Sequence, residues 1–251
     1  MSGKLWIVGL GPGAVDMLTP QASAALAAAS DLVGYGPYLE RVPPRFGQMR
    51  HASDNREELA RARHALSLAA AGREAALVSS GDAGVFAMAS TVFEAIESDE
   101  PAWRQLDIEV IPGISAMFAA AARIGAPLGH DFCAISLSDN LKPWDMVVQR
   151  LTAAASTGFV IVLYNPLSRA RPWQLGAAFD LLRSVLPVST QIVFATAVSR
   201  PDERIDITTL AEADPARADM RTLVLIGSVS TRRIERPGAH PWLYSPRRCV
   251  A

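Results

Sequence analysis

Two textures of hydrophobic residue alternate along this chain. Short runs rich in Val, Ile, Leu and Phe, each closing on glycine or turn residues, predict strands at 4–9 (KLWIVG), 32–35 (LVGY), 75–79 (AALVS) and 107–111 (DIEVI). A second set is predicted at 132–137 (FCAISL), 159–164 (FVIVLY), 191–197 (QIVFATA), 204–208 (RIDIT) and 222–226 (TLVLI). Between them, Ala-rich stretches predict helices at 19–30, 55–71, 84–97, 113–124, 143–155 and 172–185, the first with Thr19 as N-cap and Pro20 at N1. Strand and helix in such alternation make an α/β chain, with a mostly parallel sheet covered by helices. The last three strands follow one another too closely for crossover helices and predict antiparallel pairing, so the two halves differ. The Pro and Gly of APLGHDF (126–132) mark a connection, which gives an N-terminal α/β domain over 1–125 and a C-terminal one over 126–251. From 231 the tail TRRIERPGAHPWLYSPRRCV, with its prolines and arginines, reads as an irregular arm or a disordered end.

Composition narrows the picture. Half of the 251 residues are apolar, 20 % are charged, and 24 Lys+Arg stand against 25 Asp+Glu, as in an ordinary globular protein. A net charge of −1 provides no whole-molecule field to attract nucleic acid, so an anionic ligand must be met by local arginines and lysines. Cys133 and Cys249 do not form a metal-ligand spacing, no metal site is expected, and a reducing compartment fits them. The opening MSGKLWIVGLGPG enters a strand-like run without the apolar stretch of a signal peptide, and no run approaches the ~18 apolar residues of a membrane span. The expected location is the cytoplasm, with neither membrane nor nucleic acid as a partner.

Four motifs carry candidate chemistry. GLGPGA (9–14) leaves the first strand and satisfies G-x-G-x-x-G/A, yet the helix signal waits until Thr19-Pro20, and Asp31 precedes the second strand instead of following it. A dinucleotide site, a tight turn, and a loop bordering a bulky organic substrate all remain open for it. SSGDAGVFAMA (79–89) also follows a strand and leads into a helix expected to begin near Ala83. Asp82 stands there as a helix N-cap or part of a ligand loop read through its backbone. In IPGISAM (111–117), Ser115 offers its hydroxyl and amide at a helix start, for capping or for a carboxylate. VLYNPLSRARPW (162–173) puts Tyr164 and Asn165 at a strand end, where α/β proteins bind ligands, with Arg169 and Arg171 just beyond. Phosphate loops, zinc-protease motifs, C-x-x-C and the G-x-S-x-G elbow are all missing. Of the four histidines, His130, followed by Asp131 at the expected domain junction, is the candidate general acid/base.

Taken in order, these motifs resemble the tetrapyrrole methylase family. Its opening VGxGPGDxxLLT appears as VGLGPGAVDMLT (8–19), and its GDP-like loop as GDAGVF. The resemblance covers roughly residues 4–230. It implies two α/β domains with a cofactor cleft between them, a homodimer, a tetrapyrrole substrate, and S-adenosylmethionine as cofactor with S-adenosylhomocysteine as product. The segments VGYGPYL (33–39), SSGDAGVFAMA, IPGISAMFAAAARIGAPLGHDFCAISLSDNLKPW (111–144) and LYNPLSRAR (163–171) point within the family to methylation at C17 of a precorrin with contraction of the ring. By the resemblance the cofactor touches Leu10, Gly81, Asp82, Val85, Phe86, Ser115, Ala116, Tyr164, Asn165, Thr196, Ala197 and Gly227. ATAVSR (195–200) departs there from the VRNAGR-like stretch of related enzymes, which puts Thr196 and Ala197 in question. The substrate borders Gly9, Gly11, Pro12, Gly13 and Tyr35, with Asp139 nearby and Arg41, Lys142, Arg169 and Arg171 as clamps for its carboxylates. His130, Asp131, Asp139 and Tyr35 are the candidates for proton transfer during contraction. Methylation at another carbon such as C11, a cobalt-containing substrate, a nucleotide-dependent oxidoreductase and a binding protein without turnover are the alternatives.

Overall fold

The computed structural model describes residues 3–168 and 171–248; Arg169 and Cys249 lie outside the described residues. The chain divides into two compact units, Met1–Ala116 and Met117–Ala251. That division falls ahead of the APLGHDF connection.

The first unit runs β1 (Lys4–Gly9), α1 (Pro20–Ala28), β2 (Asp31–Tyr35), α2 (Gly36–Leu39), β3 (Met49–Ser53), α3 (Glu58–Ala70), β4 (Glu74–Ser79), α4 (Met88–Ser98) and β5 (Asp107–Ile111). Its sheet has the order β3-β2-β4-β1-β5, and every pairing is parallel. Successive side chains of a strand point to opposite faces, and both faces are filled here. Ala75 and Leu77 of β4 pack with α3 and α4 residues such as Leu66 and Val92. Ala76 and Val78 pack with Ala22 and Leu26 of α1. Parallel pairing brings Gly9, Tyr35, Ser53, Ser79 and Ile111 to one edge of the sheet, its carboxyl end. The unpredicted strand β3 has the pattern MRHAS, mostly polar because it is the outer strand.

The second unit holds α5 (Ala116–Ile124, all but its first residue), β6 (Gly125–Ala126), β7 (Phe132–Ser136), α6 (Trp144–Ser156), β8 (Val160–Tyr164), α7 (Gln174–Arg183), β9 (Gln191–Thr196), β10 (Arg204–Thr209), β11 (Thr222–Ile226), β12 (Arg232–Arg236) and β13 (Ala239–Tyr244). Its main sheet is β10-β9-β11-β8-β7; only β7 and β8 are parallel, and β9, β10 and β11 pair antiparallel as their spacing predicts. Ile161, Leu163, Phe194 and Val224 pack there against Leu151, Leu175 and Phe179 of α6 and α7.

The tail corrects the expectation of an irregular or disordered end. β12 and β13 form a hairpin through Pro237-Gly238, and β13 pairs parallel with β6, Leu243 opposite Gly125. Its prolines are accommodated locally: the ladder shifts register between Ile234 and Arg236, opposite His240-Pro241, where a missing N–H costs little. Buried Leu243 and the bond from Ser245 Oγ to Pro127 O (2.7 Å) pin it down.

Candidate active site

Three glycines interlock the loops leaving β1, β4 and β5. A Cβ on Gly9 would stand 2.7 Å from both Gly113 N and Gly81 O, and one on Gly113 would stand 2.2 Å from Gly81 O. The turns therefore meet backbone to backbone, an approach only glycine allows. Across this seam Gly11 N donates to Gly81 O (3.0 Å) and Gly81 N to Gly11 O (2.9 Å), and Leu10 N donates to Ser79 O (2.8 Å). Asp82 fastens the third loop: Oδ1 accepts from Gly84 N at 2.8 Å and Oδ2 from Gly113 N at 2.9 Å.

The expected helix start near Ala83 is corrected. α4 begins at Met88 with Ala87 as N-cap, because Phe86 is left-handed (φ 50°) and cannot continue a right-handed turn. Asp82 thus ties loop to loop instead of capping that helix. The glycine loop likewise opens no helix: a short 3₁₀ turn at Val15–Met17 intervenes before α1. α1 therefore does not start on the 9–14 glycines, as the helix of a dinucleotide site would. Asp31 lies buried at the amino end of β2, taking hydrogen bonds from Ser30 Oγ (2.6 Å) and Arg73 Nε (2.8 Å) and meeting His51 Nε2 (2.8 Å). Burial pushes its carboxyl upward, but the bonds from Arg73, Ser30 and His51 outweigh that and hold it below the usual range. It is a structural acid.

Arg41, expected as a carboxylate clamp, is engaged with the loops themselves. Nη1 donates to Ser80 Oγ (3.0 Å), and Nη2 donates to Leu10 O (3.0 Å) and Gly11 O (2.8 Å). Around this frame Leu10, Pro12 and Ser115 are buried, while Gly13, Tyr35, Val85 and Ala116 are half-buried; Phe86 stands exposed, and Tyr35 packs edge-on to Tyr38 at 5.2 Å.

In the second unit, the carboxyl ends of β7 and β8 carry Ser136, Tyr164 and Asn165. Asn165 is left-handed (φ 51°), and its Nδ2 donates to Ser136 Oγ at 2.9 Å. Tyr164 Oη accepts from Met117 N (3.3 Å) in the first turn of α5. Thr196 pairs with Thr222, so β9 ends at this same edge. Its hydroxyl is buried against Thr222 Oγ1 (2.8 Å), and Ala197 is left-handed (φ 50°) with its N–H on Arg221 O (3.1 Å). Ser136 was not singled out from sequence; a lone hydroxyl closing an apolar strand is its only signal.

The sheet separates other candidates from this group. Gly227 N donates to Gln191 O (2.8 Å), and Val160 N to Asp131 O (3.0 Å), which places Gly227, His130 and Asp131 at the opposite edge. Five residues of β7, roughly 17 Å of strand, lie between His130-Asp131 and the Asn165 end. There His130 Nδ1 accepts from Asp131 N (2.7 Å). Asp139 and Arg171, in the loops after β7 and β8, pair with each other, Arg171 Nη1 3.3 Å from Asp139 Oδ1. Lys142, in the same loop as Asp139, is half-buried; burial and the nearby charge of Arg150 push its ammonium pKa down.

This arrangement suits a ligand read by backbone groups. Both oxygens of Asp82 accept hydrogen bonds inside the loops, so the Gly81–Phe86 turn offers peptide groups more than side-chain charge. Five non-glycine residues among those described have positive φ: Arg56, Phe86, Asn165, Ala197 and Ser199. Three of them, Phe86, Asn165 and Ala197, are residues to which the resemblance assigns S-adenosylmethionine, and strain of this kind collects at binding sites. Among the described residues no group of three or more His, Cys, Asp or Glu could hold a metal ion. No described helix is long and apolar enough to cross a membrane.

The family model of Tetrapyrrole (Corrin/Porphyrin) Methylases matches residues 4–214. A Precorrin-3B C(17)-methyltransferase of a Sinorhizobium species is 58 % identical over 98 % of this chain and 97 % of its own. A probable cobalt-factor III C(17)-methyltransferase of Salmonella typhimurium is 41 % identical over 90 % of this chain and 93 % of its own. The crystal structure of the methyltransferase CobJ superposes with a TM-score of 0.93 at 51 % identity, covering 98 % of this chain and all of that one (100 %). With a family match over residues 4–214 and relatives of this identity, the chain belongs to the tetrapyrrole methylase family.

Proposed function

We propose that this chain is an S-adenosylmethionine-dependent methyltransferase that methylates C17 of precorrin-3B and contracts the ring to precorrin-4 in cobalamin biosynthesis. The observation that carries the reading is the 58 % identity, over nearly the whole of both chains, to the Sinorhizobium enzyme of that name. A cobalt-containing substrate is the second reading, supported by the 41 % identity to the cobalt-factor III enzyme; the higher figure favours the metal-free precorrin.

S-adenosylmethionine supplies a sulfonium methyl, already a strong electrophile, so the protein's part is mainly positioning. The Gly81–Phe86 loop with Leu10 and Ser115-Ala116 in the first unit, and Tyr164-Asn165 and Ala197 in the second, are the proposed contacts for that ligand. Gly9 to Gly13 border the macrocycle, with the glycine seam holding their backbone still. Arg171 takes a substrate carboxylate. For the proton transfers of ring contraction, Tyr35 lies at the carboxyl end of its sheet, where ligands of parallel sheets bind. His130 and Asp131 lie at the amino end of β7. The family resemblance further supports a homodimer working in the cytoplasm.

The test is incubation of purified protein with precorrin-3B and methyl-labelled S-adenosylmethionine, followed by mass and NMR analysis. A labelled methyl at C17 on a contracted ring is the expected product. A methyl elsewhere, or turnover only with the cobalt complex, sinks the specific assignment.

A further inference from the structure

Gln174 opens α7, a polar side chain only 2 % exposed in a position that would suit a leucine. Its Nε2 donates to Asp139 Oδ1 at 3.1 Å, while its Oε1 is buried without a hydrogen-bond partner. A buried unpartnered carbonyl is destabilising, whereas an apolar side chain of similar size would fill the space without that cost. What the amide contributes is therefore its donor end, and that donor goes to one oxygen. The same Oδ1 lies 3.3 Å from Arg171 Nη1. Asp139 and Arg171 are each about three-quarters buried, with side-chain exposures of 27 % and 24 %. The Arg171 backbone is held too: Ser168 N donates to Arg171 O (3.2 Å) and Arg171 N to Ser168 O (3.0 Å). An amide fixed in the core, a carboxylate fixed by the amide, and an arginine beside that carboxylate thus form one chain, reaching the loops at the carboxyl ends of β7 and β8.

We propose that Gln174 is a positioning residue, acting through Asp139 to aim Arg171 at a carboxylate of the tetrapyrrole. The proposal rests on the reading of this chain as a tetrapyrrole methyltransferase. Asp139 is then a holder of the arginine and not a ligand of the substrate. The ion pair engages one end of the guanidinium, and a planar fork held at one end presents its other N–H groups in a fixed direction. Without the amide, Asp139 loses its anchor, Arg171 loses its direction, and substrate binding weakens while the methyl-donor site is untouched.

The experiment is steady-state kinetics of wild type, Gln174→Leu and Gln174→Glu with precorrin-3B, together with S-adenosylhomocysteine affinity by calorimetry. Gln174→Leu is expected to raise KM for the tetrapyrrole about five- to twentyfold, leaving kcat within twofold and S-adenosylhomocysteine affinity unchanged. Gln174→Glu puts two carboxyl groups side by side, which raises the pKa of the pair so that they share a proton. Its tetrapyrrole KM is expected to approach wild type at low pH, where the protonated acid donates to Asp139 as the amide does, and to rise with pH. A structural role alone would not produce that profile. Unchanged tetrapyrrole KM in Gln174→Leu, or equal loss of both ligands, overturns the proposal; if Gln174→Leu does not fold, a pH-independent tetrapyrrole KM in Gln174→Glu does so. Wild type that binds S-adenosylhomocysteine but does not methylate precorrin-3B instead fails the functional reading, and this inference falls with it.

Discussion

Asp82 Oδ2 accepts the Gly113 N–H at 2.9 Å while its other oxygen holds Gly84 N–H, so a single carboxylate sets the spacing of two loops. Hydrogen bonds to a charged acceptor contribute more than neutral ones, and Asp82 is only half-buried, so Asp82→Ala is expected to destabilise by about 2 kcal/mol. Asp82→Asn keeps an acceptor for one loop and should lose about half as much. Because the loops are the proposed cofactor frame, both variants should weaken S-adenosylhomocysteine binding, the alanine by tenfold or more, roughly 1.4 kcal/mol. Urea denaturation and calorimetry read the two effects. Loss of stability with unchanged affinity would detach the clasp from the binding site.

Glycines that look alike in sequence should respond differently. At Gly113 an added Cβ meets Gly81 O at 2.2 Å, backbone against backbone, and the seam must open. Gly113→Ala is expected to cost about 3 kcal/mol and to abolish cofactor binding at micromolar ligand. At Gly176, inside α7, an added Cβ meets only Pro215 Cγ at 3.7 Å, an ordinary contact. Gly176→Ala should be neutral, or stabilising by a few tenths to about 1 kcal/mol through helix propensity. Thermal melts of the two variants side by side decide the matter.

Asp31 gives the stability a pH signature. Its folded-state pKa is lowered, so the stabilisation it supplies is fully present above its unfolded value of about 3.9 and is lost as pH falls through the lower folded value. Asp31→Asn breaks a buried carboxylate's bonds to Arg73 and His51 and is expected to cost about 3 kcal/mol near pH 7. The gap between wild type and variant should stay constant from pH 7 to about 5 and close below about 4. A gap that widens on acidification would mean that the carboxyl's pKa is raised, not lowered.

Much of this was legible in the chain. Apolar runs mark nine strands, six of them buried over most of their length, and the glycine motifs stand out because at Gly9 and Gly113 the loops tolerate nothing larger. What escaped did so for identifiable reasons. The left-handed Phe86 delays α4, and nothing in GVFAMA reveals that conformation in a non-glycine residue. The hairpin of β12 and β13 hides behind prolines that sit at its turn and its register shift. Thr196 ends one apolar strand and Gly227 follows another, yet β9 and β11 run antiparallel, so the two residues come out at opposite edges of one sheet. Asp139 and Arg171 looked like separate ligands because the ion pair joining them depends on β7 and β8 lying side by side.

That edge rule bears most directly on His130. From its place beside an expected domain junction it is a candidate acid or base, and an enzyme that contracts a ring needs one. Yet His130 precedes β7, whereas Ser136, Tyr164 and Asn165 lie at the strands' far ends, and its Nδ1 already accepts the Asp131 N–H. General acid–base catalysis requires the side chain within hydrogen-bond reach of the proton it moves, and it contributes typically about 10²- to 10⁴-fold. His130→Ala is therefore expected to keep kcat within about twofold of wild type, whereas Tyr35→Phe should slow ring contraction by about 10²-fold and leave methyl-donor binding intact. Single-turnover assays that follow methyl incorporation and contraction separately distinguish the two. Loss of contraction in His130→Ala, with S-adenosylhomocysteine still bound, would return the acid–base role to the amino end of β7.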